Sequence, residues 1–208
     1  MRPCPSSTIH KTSFNSDSQR TSKFVALKVK KARASDGHEI DVYNMVRDID
    51  DNRMHVIQLI DHFTIHGPNG SHSCLVFPAM GPRVIGLLHD PIPGRSSDFY
   101  EKPKRFSLPV ARRILLQALT GLDYLHNRGI VHGDFHAGNW LFELQDINEL
   151  SDKDLSQDPR NTSVPVRRLE GKQNAGDPQH LTLNEPLYEW IATGAKLCVR
   201  VADLGNGL

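Results

Sequence analysis

The first periodic stretch of the chain is Phe24-Val25-Ala26-Leu27-Lys28-Val29, in which Val25, Leu27 and Val29 share one face of an extended strand and Ala26 and Lys28 share the other. Before it, Met1–Ser22 is rich in serine and threonine and carries no apolar period, so residues 1–22 are expected to form a disordered head. After it, Asp36-Gly37-His38-Glu39 has the spacing of a capping box, and Ile40, Tyr43 and Val46 follow at helical intervals. Together they predict a helix from about Asp36 to Arg47. The apolar runs Val56–Ile65 and Ser73–Phe77 flank Gly67-Pro68-Asn69-Gly70, which is a hairpin pattern. The longest helix is predicted over Ser107–Asn127, where Val110, Ile114, Leu115, Ala118, Leu119, Leu122 and Leu125 form one apolar stripe. Ser107 is placed to cap its start and Gly129 to close its end.

Beyond that helix, the short apolar runs Ile130-Val131 and Trp140-Leu141-Phe142 bracket a polar loop. From about residue 145 to 194 the chain is rich in Asp, Gln, Asn and Pro and reads as a flexible insert. An alternating strand at Lys196–Ala202 then leads into Asp203-Leu204-Gly205. Strands and one helix followed by a helical segment make an α+β fold, with a small β-rich unit over residues 23–106 and the opening part of a helical unit over 107–208.

Composition narrows the function classes. A formal net charge of +1 argues against a mainly electrostatic grip on nucleic acid or on a membrane surface, and leaves a small molecule or a protein as the expected partner. Cys4, Cys74 and Cys198 lie far apart without a C-x-x-C pair, which suggests neither a disulfide framework nor a zinc site and fits a reducing compartment. No apolar run approaches membrane-spanning length, and the head lacks a secretory signal, so a soluble protein of cytoplasm or nucleus is expected.

Four short motifs carry candidate chemistry. Phosphoryl transfer needs cations around the phosphates and a carboxylate to orient the attacking hydroxyl. Val25-Ala26-Leu27-Lys28 offers a lysine beside a small residue on one strand face, although a lysine in an alternating strand is by itself usually a solvated edge residue. Glu39 lies eleven residues further on, where a capping role also accounts for it. His132-Gly133-Asp134-Phe135-His136-Ala137-Gly138-Asn139 follows the long helix, and its alternative reading is a transition-metal set of His132, Asp134 and His136. Asp203-Leu204-Gly205-Asn206 closes the series; alone, such a D-x-G is a common turn.

In this order the motifs resemble those of protein kinases: the V-A-I-K strand, the helix glutamate, the H-R-D-x-x-x-x-N loop and D-F-G, here with leucine for phenylalanine. With Cys74-Leu75-Val76-Phe77-Pro78-Ala79-Met80-Gly81 and the insert ahead of D-L-G-N, the chain is similar to the fungal relatives of the serine/arginine-protein kinases. The resemblance implies a bilobed kinase-like fold with its hinge near residues 78–81. It implies ATP and Mg²⁺ as cofactors and transfer to Ser/Thr hydroxyls of proteins, Arg/Ser-rich ones among them. By the same resemblance, Asp134 and His136 are catalytic; Ala26, Lys28, Glu39, Phe77 as gatekeeper, Pro78 and Met80 bind the nucleotide; and Asn139 and Asp203 bind the metal.

Departures from the pattern leave alternatives. His136 stands where many kinases have a lysine, and Gly133 where they have an arginine. H-G-D-x-H-x-G-N is also similar to the loop of aminoglycoside and choline phosphotransferases. Residues 1–22 hold no glycine, so a G-x-G-x-x-G loop is missing before Lys28, and no A-P-E follows Asp203. The expectation is a small lobe without its glycine-rich loop and a helical lobe only begun, truncated at both ends. Such a chain is either an abbreviated serine/threonine kinase or a non-catalytic kinase-like remnant, and as written it is expected not to phosphorylate protein at a useful rate.

Overall fold

β-branched and aromatic residues alternating with polar ones build a four-stranded antiparallel sheet in the computed structural model. It describes residues 7–16, 19–32, 37–46, 55–67, 70–89, 105–151, 153, 155, 163–166, 179–182 and 187–207, with side chains from Phe24 onward. The sheet comprises β1 (Ser7–Ser16), β2 (Gln19–Val29), β3 (Asp61–Gly67) and β4 (Gly70–Pro78) in the order β1-β2-β4-β3. The β3–β4 hairpin closes at the expected turn, while Val56–Ile60 stays outside the strand. β1 lies within the head that the sequence reads as disordered: ten residues pair with β2, from Ser7 opposite Lys28 to Ser16 opposite Gln19. A polar segment gains a regular backbone there because β2 offers it a complete ladder edge.

Helix α1 (Gly37–Val46) packs on the face of the sheet that carries Ala26, Leu75 and Phe77. Its buried positions are Glu39, Val42, Tyr43 and Val46, a face turned one step from the Ile40–Tyr43–Val46 series that apolarity alone selects. A second sheet of three short strands, β5 (Met80–Arg83), β6 (Trp140–Glu143) and β9 (Val199–Val201), lies beyond the end of β4 in the order β5-β6-β9. Between β4 and β5 stands only Ala79. The segment 55–60 ties the two sheets together: Ile57 N–H donates to the Val201 carbonyl at 2.9 Å, and Ile60 N–H to the Val76 carbonyl at 2.8 Å.

After a single helical turn, α2 (Gly86–His89), helix α3 (Leu108–His126) crosses the second sheet. Ile114 and Ala118 sit with Phe142, Val199 and Val201 in one core. At Gly121 the helix comes so close that a Cβ would stand 2.7 Å from the His55 carbonyl oxygen. Gln117 is buried with both amide atoms engaged, donating to the Leu197 carbonyl at 3.0 Å and accepting from Val199 N–H at 2.8 Å. The apolar stripe read from the sequence therefore divides. Ile114, Ala118 and Leu125 are buried, whereas Leu115 and Leu119, further around the helix, are exposed together with Leu108 and Leu116, which lie outside the stripe. An arc that wide exceeds what one sheet face covers. Ser107 makes no side-chain cap; Gly129 closes the end at φ +73° as expected.

Within the polar segment 145–194, the described residues form a 3-10 turn at Ile147–Glu149, a small hairpin of β7 (Ser163–Pro165) and β8 (His180–Thr182), and a further 3-10 turn at Tyr188–Trp190. Ile147 and Leu187 pack with Phe24, Ala79 and Leu144 in a third apolar cluster. Among the described residues no helix is long and apolar enough to cross a membrane.

Candidate active site

The alternation of β2 turns Lys28 toward α1, and Glu39 occupies the first buried position of that helix, so the two meet across the strand–helix interface. Lys28 Nζ lies 2.7 Å from Glu39 Oε1 and 2.8 Å from Asp203 Oδ1, a residue 175 positions away in sequence. Glu39 is 4% exposed and Asp203 51%, so the lysine bridges a buried carboxylate and a solvent-facing one. Burial pulls the Lys28 pKa down, but the charges of Glu39 and Asp203 outweigh it and hold the ammonium above its usual value. Both Glu39 oxygens face lysines, the second lying 3.3 Å from Lys30 Nζ. The Glu39 carboxylate therefore faces the sheet; the capping-box reading also needs Asp36. Asp36 lies outside the described residues.

The loop 132–139 is folded by its own side chains. His132 is 1% exposed, accepts Asp134 N–H at Nδ1 over 3.3 Å, and directs Nε2 at the Ala202 carbonyl at 3.2 Å. His136 Nδ1 accepts Gly138 N–H at 3.0 Å, which leaves Nε2 facing Asp134 Oδ2 at 3.6 Å. Asn139 Nδ2 donates to the Asp134 carbonyl at 3.0 Å and to Oδ2 at 3.2 Å, so the amide oxygen is its remaining polar atom. With both ring nitrogens of His132 engaged, the reading of His132, Asp134 and His136 as a transition-metal set is overturned. Among the described residues no group of three His, Cys, Asp or Glu is placed to hold a metal ion.

The segment after β9 docks on both loop and helix. Ala202 N–H donates to the Asn139 carbonyl at 2.8 Å, which brings Asp203 beside the loop. Asp203 itself takes a left-handed backbone, φ 66°, and starts the 3-10 turn Leu204–Asn206. Leu204 is fully buried with Val42, Tyr43 and Phe77, and its N–H donates to the Tyr43 hydroxyl at 3.3 Å. His38 Nε2 meets the Gly207 carbonyl. Gly133, at φ +74°, leaves so little room that a Cβ would stand 2.4 Å from the Asn206 carbonyl oxygen.

On the other side of Lys28, Ala26 pairs with Phe77 across β2 and β4, and Val25 with Pro78. Phe77 is buried edge-on against Tyr43, ring centroids 5.0 Å apart. Ala26, Met80 and Leu141 pack as half-buried residues on this same core. The structure thus draws Lys28, Glu39 and Asp203 into direct contact, ties Asp134, His136 and Asn139 into one loop beside them, and gathers Ala26, Phe77 and Met80 on one core with Pro78 at the end of β4.

The sequence matches the family profile for protein tyrosine and serine/threonine kinase over residues 5–175. The chain belongs to the protein kinase family. It is 34% identical over 116 residues to the serine/threonine-protein kinase SKY1 of Saccharomyces cerevisiae, covering 52% of this chain and 14% of that protein. It is 32% identical over 157 residues to protein kinase dsk1 of Schizosaccharomyces pombe, covering 68% and 25%. SRSF protein kinase 3 of Mus musculus is 36% identical over 135 residues, covering 60% and 22%. The chain therefore spans about a quarter or less of the length of these relatives. The crystal structure of a kinase domain at 15% identity superposes with a TM-score of 0.52 over 94% of this chain and 50% of that one, a likeness of fold.

Kinases of this family generally use ATP and Mg²⁺, and the donors present suit them. Asp203 and Asn139 offer a half-exposed carboxylate and an amide oxygen, the hard oxygen ligands that Mg²⁺ takes. The sequence reading overlooks three residues of this site. Leu141 was legible, since Trp140 and Phe142 face one core and alternation sends Leu141 to the other. Lys30 was legible by the same period of two from Lys28. Tyr43, whose hydroxyl accepts from Leu204, left no signal beyond an aromatic at helical spacing.

Burial, only partly opposed by the Ala202 carbonyl and the charges of Asp203 and Asp134, holds His132 below its ordinary pKa. A histidine depressed in the folded state contributes stability that is present above its unfolded pKa, about 6.5, and is lost as pH falls through the folded value. Urea unfolding should show stability decreasing below about pH 6.5, by up to about 1.4 kcal/mol per unit for this residue. The His132→Asn variant should show a shallower slope; parallel slopes would remove His132 as a cause.

Proposed function

We propose that this chain forms the nucleotide- and metal-handling portion of an ATP-dependent protein serine/threonine kinase. One observation carries the reading: Lys28 Nζ contacts a buried carboxylate of α1 and an exposed carboxylate after β9 at once. A cation between two such groups is placed to meet the α- and β-phosphates of a nucleotide whose Mg²⁺ is held by Asp203 and by Asn139. Glu39 keeps Lys28 oriented. Ala26, Leu141 and Met80 offer flat apolar contact to adenine, Phe77 limits the depth of that space, and the backbone from Pro78 to Met80 supplies the hydrogen bonds of a hinge. Mg-ATP supplies the transferable phosphoryl group.

Asp134 then serves as the carboxylate that accepts the hydroxyl proton of a serine or threonine, with Asn139 fixing one of its oxygens. His136 lies beside it with Nε2 3.6 Å from Asp134 Oδ2, at the place where many kinases have a lysine to neutralise the γ-phosphate. The names of the relatives, all protein kinases, favour protein acceptors; Arg/Ser-rich ones are what the resemblance to the serine/arginine-protein kinases implies.

Calorimetric titration with Mg-ADP tests the nucleotide half. Lys28→Met should weaken binding about 10- to 100-fold, the worth of hydrogen bonds to charged groups. Equal affinity in both proteins would take Lys28 out of the phosphate site. Phosphorylation of choline or an aminoglycoside in place of an Arg/Ser-rich peptide would reassign the acceptor.

A further inference from the structure

Glu39 is almost completely withdrawn from water, and a carboxylate in such a place persists only with its charge compensated. Lys28 alone does not suffice, because it also faces Asp203 at 2.8 Å. The second oxygen of Glu39 is met by Lys30 Nζ at 3.3 Å, and the Lys30 side chain is 13% exposed. β2 puts Lys28 and Lys30 on the same face, and the backbone at Lys30 is fastened beyond the end of the strand. Lys30 N–H donates to the Ser73 carbonyl at 2.8 Å, and His72 Nδ1 lies 2.9 Å from the Lys30 carbonyl.

We propose that Lys30 is a positioning residue for phosphoryl transfer, holding Glu39 through Oε2 so that Lys28 can turn to a phosphate without leaving a buried carboxylate uncompensated. The proposal rests on the nucleotide reading of the site. Among the described residues, two lysines balance two carboxylates in this cluster before nucleotide arrives. When Asp203 engages a cation and Lys28 engages phosphate, the Lys30–Glu39 pair remains and fixes α1 against β2. Lys30 acts through Glu39 and does not touch the phosphates.

A cycle of variants separates these roles, with Mg-ADP as the probe. Lys30→Met should weaken binding about ten-fold, within the usual range of coupling between sites, and Lys30→Arg should restore it to within about two-fold because the cation returns. In a Glu39→Gln background the same Lys30→Met exchange should cost less than about two-fold, since the group through which it acts is gone. Unchanged affinity in Lys30→Met overturns the proposal, as does an equal loss in both backgrounds, which would make Lys30 a direct phosphate contact. If the parent chain does not bind Mg-ADP, the nucleotide reading fails, and urea unfolding decides the clamp. The stability losses of Lys30→Met and Glu39→Gln should then be strongly non-additive, and additive losses overturn it. Should Lys30→Met fail to fold, the double variant is expected to fold again, and its failure to do so has the same force.

Discussion

In a full-length kinase that carries this chain, replacing Asp134 by asparagine is expected to lower kcat for transfer to a serine peptide by about 100- to 10,000-fold, the range of a positioned general base. Mg-ADP affinity should stay within about two-fold, because the exchange removes a proton acceptor and not a nucleotide contact. The geometry favours a clean result. Asn139 Nδ2 donates to Oδ2 of Asp134 and also to its carbonyl oxygen, so an asparagine keeps the loop's internal bonds with its own amide oxygen. His136 Nε2, 3.6 Å from the same carboxylate oxygen, finds an amide oxygen there instead. The measurement is single-turnover transfer from Mg-ATP beside a calorimetric titration on the same preparations. Equal rates would remove Asp134 from proton acceptance; a parallel loss of nucleotide affinity would show that it shapes the phosphate site instead.

Gly133→Ala is the second large effect, and it is one of stability. Two penalties coincide at this residue: a left-handed backbone at φ +74°, and a methyl group placed 2.4 Å from the Asn206 carbonyl oxygen. The first costs about 1–2 kcal/mol for an L-residue, and crowding against a fixed backbone about 1–3 more. A loss of about 2–5 kcal/mol in urea unfolding is expected. Gly129 supplies the internal control, since it has nearly the same φ, +73°, with nothing within 4 Å of a Cβ. Gly129→Ala should cost only the conformational part, and equal losses at the two positions would show that the contact with Asn206 is not tight in solution. The same crowding explains why an arginine, the residue many kinases carry at this place, does not fit here.

How far the sequence alone reaches is plain from particular residues. Lys28 and Ala26 are legible because a period of two fixes their common face, and Asp134 with Asn139 because their offset is characteristic. α3 is legible as a helix, but not the side it buries: Leu115 and Leu119 are as apolar as Ile114, and only the position of β6 and β9 decides between them. Glu39 is ambiguous for a physical reason, since a carboxylate three residues into a capping pattern and one facing a lysine have the same spelling. β1 is invisible because its strand state comes from the ladder with β2 and not from its own apolar residues. Gly133 reads as a missing arginine until its backbone angle and the nearness of Asn206 show that glycine is what the site requires.

The left-handed backbone of Asp203 limits how this site can be altered. Among non-glycine residues, aspartate and asparagine enter that conformation most readily, because their short polar side chains bond locally. Asparagine is therefore the exchange that removes the negative charge and keeps the turn into Leu204–Asn206. Alanine strains the turn as well as discharging it, and valine strains it further. A loss of binding after Asp203→Ala would confound the metal with the docking of Leu204 beneath Tyr43 and Phe77, whereas Asp203→Asn tests the charge alone. The same rule bears on sequence drift: the least strained path from a charged to an uncharged site at this position runs through asparagine or glycine.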